Sequence, residues 1–312
     1  VTATVLVTGA AGYLGSVLVP RLLSCGYKVL ALDNFMHGEN SLAACCANPD
    51  FEVFRGDCRD DDVLLPLLRC ADYIVPLAAI VGASACMADY TATWSTNYNA
   101  IGQLCSRASV QQRIVTPTTN SGYGIGAPGE MCTEESPLRP LTSYGKSKVL
   151  AEEVVLLRKN SISLRLATVF GASPRMRQDL LVNEFVLRAL TDRAIVLFEG
   201  HFKRNFIHIA DVANAFVHSI DNFEKMRGNA FNVGLSSANL SKIELCEVIK
   251  KHISDFTWVE SPIGEDPDKR DYIVSNEKIE KTGWRPHKSL DDGIVELKKL
   301  FNTLKTRRYA NA

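Results

Sequence analysis

Tyr144-Gly145-Lys146-Ser147-Lys148 holds the residue types whose spacing could do chemistry, together with Thr119 some two dozen residues earlier. On a helix, positions four apart share a face, so the Tyr144 phenol and the Lys148 ammonium can lie side by side. A free phenol ionises near pH ~10, and a fixed cation beside it favours the phenolate, bringing it toward the range of a working base. A Tyr and a Lys four apart also occur on ordinary solvated helix faces. The pair gains meaning only from the elements that position it.

The earliest of these is the run Val5-Leu6-Val7, followed by Thr8-Gly9-Ala10-Ala11-Gly12-Tyr13-Leu14-Gly15 and an amphipathic segment to about Cys25. Strand, glycine turn and helix in that order suit a pyrophosphate. Gly9 permits the tight turn, Gly12 a close approach of backbone to phosphate, and Gly15 close helix packing, while Tyr13 and Leu14 open the helix whose N-H groups face an anion. The strand Lys28 to Leu32 ends in Asp33 and Asn34. A carboxylate there accepts hydrogen bonds from an adenosine ribose and repels a phosphate attached to it, which predicts NAD rather than NADP. Phe51 to Phe54 reads as a third strand and Asp60 to Arg69 as a helix. Tyr73 to Leu77 reads as a fourth strand, Ala92 to Ala108 as a helix and Arg113 to Thr116 as a fifth strand. Asp57 and Cys58 fall where a loop would meet the adenine. Leu77, Ala78 and Ala79 fall where small residues let cofactor backbone pass.

This alternation predicts an α/β fold, a Rossmann-type doubly wound parallel sheet with a smaller C-terminal α/β substrate-binding lobe. The expected division is 1–170 for the dinucleotide domain and 171–312 for the lobe, with 205–223 returning to the first. Lys plus Arg and Asp plus Glu number 35 each in the 312 residues, so net charge gives no reason to expect nucleic acid or an anionic membrane. The nine cysteines show no CxxC or Cys/His spacing, which argues against a disulfide framework and structural zinc. No apolar run approaches a membrane span, and no basic leader precedes the first strand. The expectation is a soluble cytoplasmic protein without a metal.

TGAAGYLG, Asp33, Thr119 to Gly124 and Tyr144/Lys148, in this order, resemble an extended short-chain dehydrogenase/reductase of the NAD-dependent epimerase/dehydratase family. The resemblance implies that Tyr144 is the base, that Lys148 holds the nicotinamide ribose and lowers the tyrosine pKa, and that Thr119 hydrogen-bonds the reacting sugar hydroxyl. Thr118 and Asn97 would lie beside the cofactor. Where dehydratases of the family carry an acid and a carboxylate after the catalytic Ser/Thr, this chain has Asn120 and Ser121, and neither can expel a hydroxyl. Sugar dehydration is therefore disfavoured, and so is the related decarboxylation.

Beside Thr119, Asn120 and Ser121 are expected to contact the substrate; the resemblance further implies Arg204 and Arg270 for a diphosphate, Asn183 for the nucleotide, and Thr168 in a place where many relatives carry Asn. Arg175 and Arg177, in a loop entering a helix, either contact substrate or anchor the loop. His208, in a strand pattern Asn205 to Ala210, is expected to be packed in the core. The helix Leu290 to Leu304 should end in a solvated basic tail with Lys305, Arg307 and Arg308. Within the family, the wording of TTNSGYG, LATVFGASPRMRQDLLVNEF, HFKRNFIHIADV and GEDPDKRDYIVSN most resembles bacterial enzymes that oxidise carbon 4 of a GDP-linked manno-heptose for capsule heptoses. Those return the hydride to 2-oxoglutarate. A 4-epimerase shares the same half-reaction and stays open as the alternative, as does, further off, a dinucleotide sensor without chemistry. The family also implies a homodimer paired through two helices, about Ala92 to Ala108 and Tyr144 to Lys159.

Overall fold

Seven parallel strands form the main sheet in the computed structural model, which describes residues 2–38, 40–264 and 269–304. Across the sheet they run Asn229–Val233, Ser161–Leu166, Arg113–Thr119, Tyr73–Pro76, Thr4–Thr8, Lys28–Asp33 and Phe51–Arg55. From Thr4–Thr8 the chain steps outward to Lys28–Asp33 and Phe51–Arg55, then returns to Tyr73–Pro76 on the other side. Val5 consequently pairs with Val29 on one flank and Tyr73 on the other. A reversal of this kind opens a crevice beyond the carboxyl ends of the two strands that flank it. Val5, Leu6 and Val7 are fully buried, as a central strand covered on both faces requires, and this explains why the first strand reads as a continuous apolar run.

One face of the sheet is covered by helix Gly15–Ser24 packed on helix Ile209–Asp221, whose Val212, Ala213, Phe216, Val217 and Ile220 recur at helical spacing and enter the same core. Burying Phe216 alone contributes about 2–3 kcal/mol. The other face is covered by helices Asp61–Cys70, Ala100–Arg107 and Ser143–Leu156. Strand Asn229–Val233 takes the edge beside Ser161–Leu166, so the second half of the chain contributes a strand and a helix to the sheet domain.

A separate core around Phe170, Phe206, Phe256 and Leu245 holds the smaller lobe, with helices Leu181–Thr191, Lys242–His252 and Leu290–Phe301. Its three-stranded sheet joins Asn239–Ser241, Lys203–His208 and Thr168–Phe170. Short parallel pairs tie Ala194–Leu197 to Thr257–Glu260 and Met131–Cys132 to Ile273–Val274.

Some boundaries differ from expectation. The helix expected over 92–108 is built as Tyr90–Trp94, a π turn Ser95–Asn99 and Ala100–Arg107. The strand expected to run to Ala210 stops at His208, because that residue caps the next helix: its Nδ1 accepts the Ala210 N-H at 3.2 Å. His208 is packed, as expected, with its ring edge on Phe170 and Nε2 3.2 Å from Glu296. No helix among the described residues is long and apolar enough to cross a membrane. All nine cysteines are free. Residues 265–268 of the GEDPDKRDY stretch and the basic tail Lys305, Arg307 and Arg308 lie outside the described residues.

Candidate active site

The glycine turn is built by contact with the neighbouring strand end. Gly9 has φ +68, and a Cβ there would lie 2.5 Å from the Ala78 nitrogen; a Cβ on Gly15 would lie 2.4 Å from the Ala10 oxygen. No side chain fits at either place, so the turn can only be this tight with glycine. A Cβ at Gly12 would meet only the Gly9 oxygen, at 3.1 Å, which leaves its open side to the cavity. Replacing Gly9 by alanine is therefore expected to cost about 1–3 kcal/mol of stability. It should also weaken NAD binding more than tenfold. A melting curve and an NAD titration read the two effects separately.

The cavity that opens from this turn has a volume of ≈ 730 Å³. At one end lie Gly9, Gly12, Tyr13, Leu14, Gly15, Asp33, Asn34, Asp57, Cys58, Leu77, Ala78 and Ala79. Asp33 is held by two backbone donors, Ala11 N-H at 2.9 Å and Phe35 N-H at 2.8 Å, which aim its carboxylate. Arg59, absent from the sequence expectation, reaches the same end. Its fork is taken up by Asp57, with Nε 2.9 Å and Nη2 2.5 Å from the carboxylate oxygens.

Thr119, Tyr144 and Lys148 line the same cavity. Thr119 is the last residue of its strand, and Tyr144 and Lys148 come from helix Ser143–Leu156, which Thr142 caps by accepting the Gly145 N-H at 3.1 Å. The Thr119 hydroxyl donates to Ser121 Oγ at 2.8 Å and accepts the Ser121 N-H at 3.1 Å. Its rotamer is thus fixed with one lone pair left for the cavity.

Enclosure pushes the Tyr144 phenol up to about 12; the Arg270 charge, then Arg177, then a hydrogen bond with Thr119 pull it back, while Cys86 adds to the rise. Burial pushes the Lys148 ammonium down to about 8, against the opposing influence of Cys86 and Glu152. The charges that pull the phenol down most strongly are those of Arg270 and Arg177. The spacing sets a shared helix face, whereas the cation that acts most strongly on the phenol comes from the segment at Arg270.

The other end carries Thr168, Arg175, Arg177, Arg204 and Arg270. Arg270 donates to Ser121 Oγ. The segment after it is clamped on two sides: Gly126 N-H reaches the Asp271 oxygen at 2.8 Å, and Asn239 bonds Val274 through both amide atoms at 2.8 and 3.0 Å. The Thr168 hydroxyl is buried on the cavity wall and has no hydrogen-bond partner among the described residues. Asp179, Glu184, Tyr272 and the small residues Gly82 to Ala85 also line the cavity, and none of them was singled out as a site residue from the sequence.

Several expected contacts are otherwise engaged. Asn97, in the π turn, spends its amide on Ile80, accepting its N-H at 2.8 Å and donating to its oxygen at 2.9 Å. Asn183 accepts the Gly171 N-H at 3.0 Å and donates to the Arg177 oxygen at 2.8 Å, so it braces the arginine loop from behind. Asn120 is fully buried and does not line the cavity. Thr118 reaches the cavity, but its hydroxyl donates to Glu152 at 2.8 Å. The Tyr13 hydroxyl likewise turns away, to the Gly171 oxygen at 2.7 Å.

A doubly wound sheet with a glycine turn, a carboxylate at the second strand end and a Tyr/Lys pair over one cavity defines a dinucleotide-dependent α/β enzyme. The chain belongs to the NAD dependent epimerase/dehydratase family, whose model matches residues 5–234, and NAD is its cofactor. It is 28% identical over 311 residues to UDP-glucuronic acid decarboxylase 1 of Arabidopsis thaliana, covering 94% of this chain and 68% of that one. It is 24% identical to a putative UDP-glucose 4-epimerase of Methanocaldococcus jannaschii, covering 96% and 98%. The fold is shared with UDP-glucuronic acid 4-epimerase from Bacillus cereus, solved with UDP-glucuronic acid and NAD, at a TM-score of 0.85 and 24% identity over 96% of this chain and 99% of that one.

Proposed function

We propose that the protein oxidises carbon 4 of a nucleotide-linked sugar, with GDP-D-glycero-α-D-manno-heptose as the favoured sugar and 2-oxoglutarate as the acceptor that regenerates the cofactor. One observation carries the oxidation: Thr119, Tyr144 and Lys148 line one cavity, while the positions after Thr119 hold an amide and a hydroxyl. Of the carboxylates on the cavity wall, Asp33 and Asp57 belong with the glycine turn, Asp179 is paired with Arg177, and Glu184 lies 3.8 Å from Arg188. The two positions directly after Thr119 supply no carboxylic acid.

NAD, when bound, supplies the ring that accepts the hydride and a positive charge that favours the phenolate. Thr119 hydrogen-bonds the sugar hydroxyl and orients it. Tyr144 takes that proton as the carbon is oxidised, and Lys148 holds its ammonium toward the ribose side. Arg204 and Arg270 would bind the diphosphate with their planar forks. Support for the heptose is the wording of the substrate-lobe segments.

A 4-epimerase is the second reading, favoured by the two relatives named as 4-epimerases, and it uses the same half-reaction. Incubation with the GDP-heptose, with and without 2-oxoglutarate, separates the two. A 4-keto sugar appearing with 2-hydroxyglutarate supports the dehydrogenase. An inverted sugar without 2-hydroxyglutarate selects the epimerase.

A further inference from the structure

Tyr13 stands on the glycine turn, yet its side chain bonds a segment 158 residues further on, where the chain leaves strand Thr168–Phe170 for helix Leu181–Thr191. Its hydroxyl donates to the Gly171 oxygen at 2.7 Å and accepts from Asn183 Nδ2 at 3.2 Å. Its carbonyl oxygen accepts from the Ser173 hydroxyl at 2.7 Å. Ser16, in the first turn of helix Gly15–Ser24, meets Ser173 Oγ at 2.9 Å. From the other side the Ala172 N-H donates to Glu296 of helix Leu290–Phe301 at 2.8 Å.

The first residues of the loop are thus held at 171 and 173 by the glycine turn and at 172 by the substrate lobe. Arg175 and Arg177 follow at once, both buried and both on the cavity wall. A ring that only filled space would need neither partner, and phenylalanine would fill it equally well. Here the hydroxyl and the carbonyl oxygen of one residue are both spent on one loop. Burial pushes the Tyr13 phenol far above its ordinary range, so it keeps its proton and remains a donor at every working pH.

We propose that Tyr13 is a positioning residue: through its hydroxyl on Gly171 and its carbonyl oxygen on Ser173 it hangs the arginine loop on the turn that takes the cofactor, and so fixes where Arg177 stands in the cavity. The catalytic consequence rests on the nucleotide-sugar reading above, and it falls on Tyr144. Besides enclosure, the influences on that phenol are Arg270, Cys86 of helix Ala83–Ala88, Arg177 and Thr119, with Lys148 on its own helix. Arg177 is the one the loop carries, and Asp179, accepting from its Nε at 3.0 Å, moves with it. A loosened loop leaves Arg177 further from the phenol on average, and part of its pull is lost.

The test compares the NAD-loaded wild type with Tyr13→Phe and Ser173→Ala. Amide hydrogen exchange over residues 172–180, which needs no sugar, should run roughly tenfold faster in either variant while strands Thr4–Thr8 and Lys28–Asp33 stay protected. With the GDP-heptose as substrate, the rising limb of kcat against pH should move up by roughly half a unit in Tyr13→Phe, since the base acts only when deprotonated. A tyrosine that merely supported the fold would lower the melting temperature and leave that limb in place. Wild-type exchange of the loop in either folded variant overturns the proposal, and so does a limb that stays put while the loop exchanges faster. Should Tyr13→Phe not fold, Ser173→Ala decides, because it removes the partner of the Tyr13 oxygen and leaves the phenol where it is. A wild type that turns over no nucleotide sugar removes the functional reading, and the exchange measurement still decides what holds the loop.

Discussion

Replacing Tyr144 by phenylalanine is expected to lower sugar-dependent NADH formation roughly a thousandfold while leaving NAD bound, as general-base losses commonly do. The phenol ring stays, and with it that part of the cavity wall; only the oxygen that takes the proton is lost. Thr119 retains its bonds to Ser121, so the site should keep its shape. NAD affinity from a fluorescence titration and rates from NADH absorbance report on the two halves of this expectation. Unchanged turnover would take Tyr144 out of the base role.

The same oxygen gives a pH dependence of known sign. Enclosure raises the phenol and Arg270 is the largest influence lowering it, so Arg270→Met should raise its pKa further. A base acts only when deprotonated. The rising limb of kcat against pH, read at saturating sugar, should therefore move to higher pH in that variant. A limb that stays in place would mean that the proton leaves to another group.

The sheet was legible in the sequence because its central strands are buried on both faces and must be apolar throughout, and because the glycine turn has no substitute at Gly9 or Gly15. Tyr144 and Lys148 were legible through helical spacing alone. The action of Arg270 on the phenol was not, since that residue was expected only at the diphosphate. Arg270 reaches the region of Thr119 only because Asp271 and Val274 are pinned to Gly126 and Asn239, and nothing in the spacing of those residues announces it. Short elements such as Met131–Cys132 and Ile273–Val274 are too brief to show a period. Helix Lys242–His252 could have been found: Ser241 and Glu244 form a capping box whose signature stands in the sequence. The asparagines misled for a common reason. An amide can satisfy a peptide group as readily as a ligand, and Asn97 and Asn183 do so where the chain turns sharply beside the cavity.

Glu152→Leu is expected to destabilise the fold by about 3–5 kcal/mol, the usual loss when one member of a buried ion pair is removed. Glu152 lies one turn beyond Lys148 and two beyond Tyr144, on the face of helix Ser143–Leu156 that meets the sheet, and is 3% exposed. Its carboxylate accepts from Arg165 Nη2 at 2.7 Å and Nε at 3.0 Å, from Ser163 at 2.6 Å and from Thr118 at 2.8 Å. Losing it strands the Arg165 guanidinium, itself 6% exposed, leaving it Tyr123 and the Glu134 oxygen as hydrogen-bond partners among the described residues. A double Glu152→Leu/Arg165→Met variant should recover part of the loss in denaturant midpoint, because removing both charges leaves none unpaired. Glu152→Gln, retaining some of the acceptors, should lose less stability and expose an electrical role. The Glu152 charge opposes the fall of the Lys148 pKa, so without it that pKa, now about 8, drops. If the ammonium must stay protonated to hold the ribose, activity falls as pH rises through this pKa, and the falling limb moves to lower pH in Glu152→Gln. A carboxylate that served only to dock the helix would lower the midpoint and leave that limb where it stands.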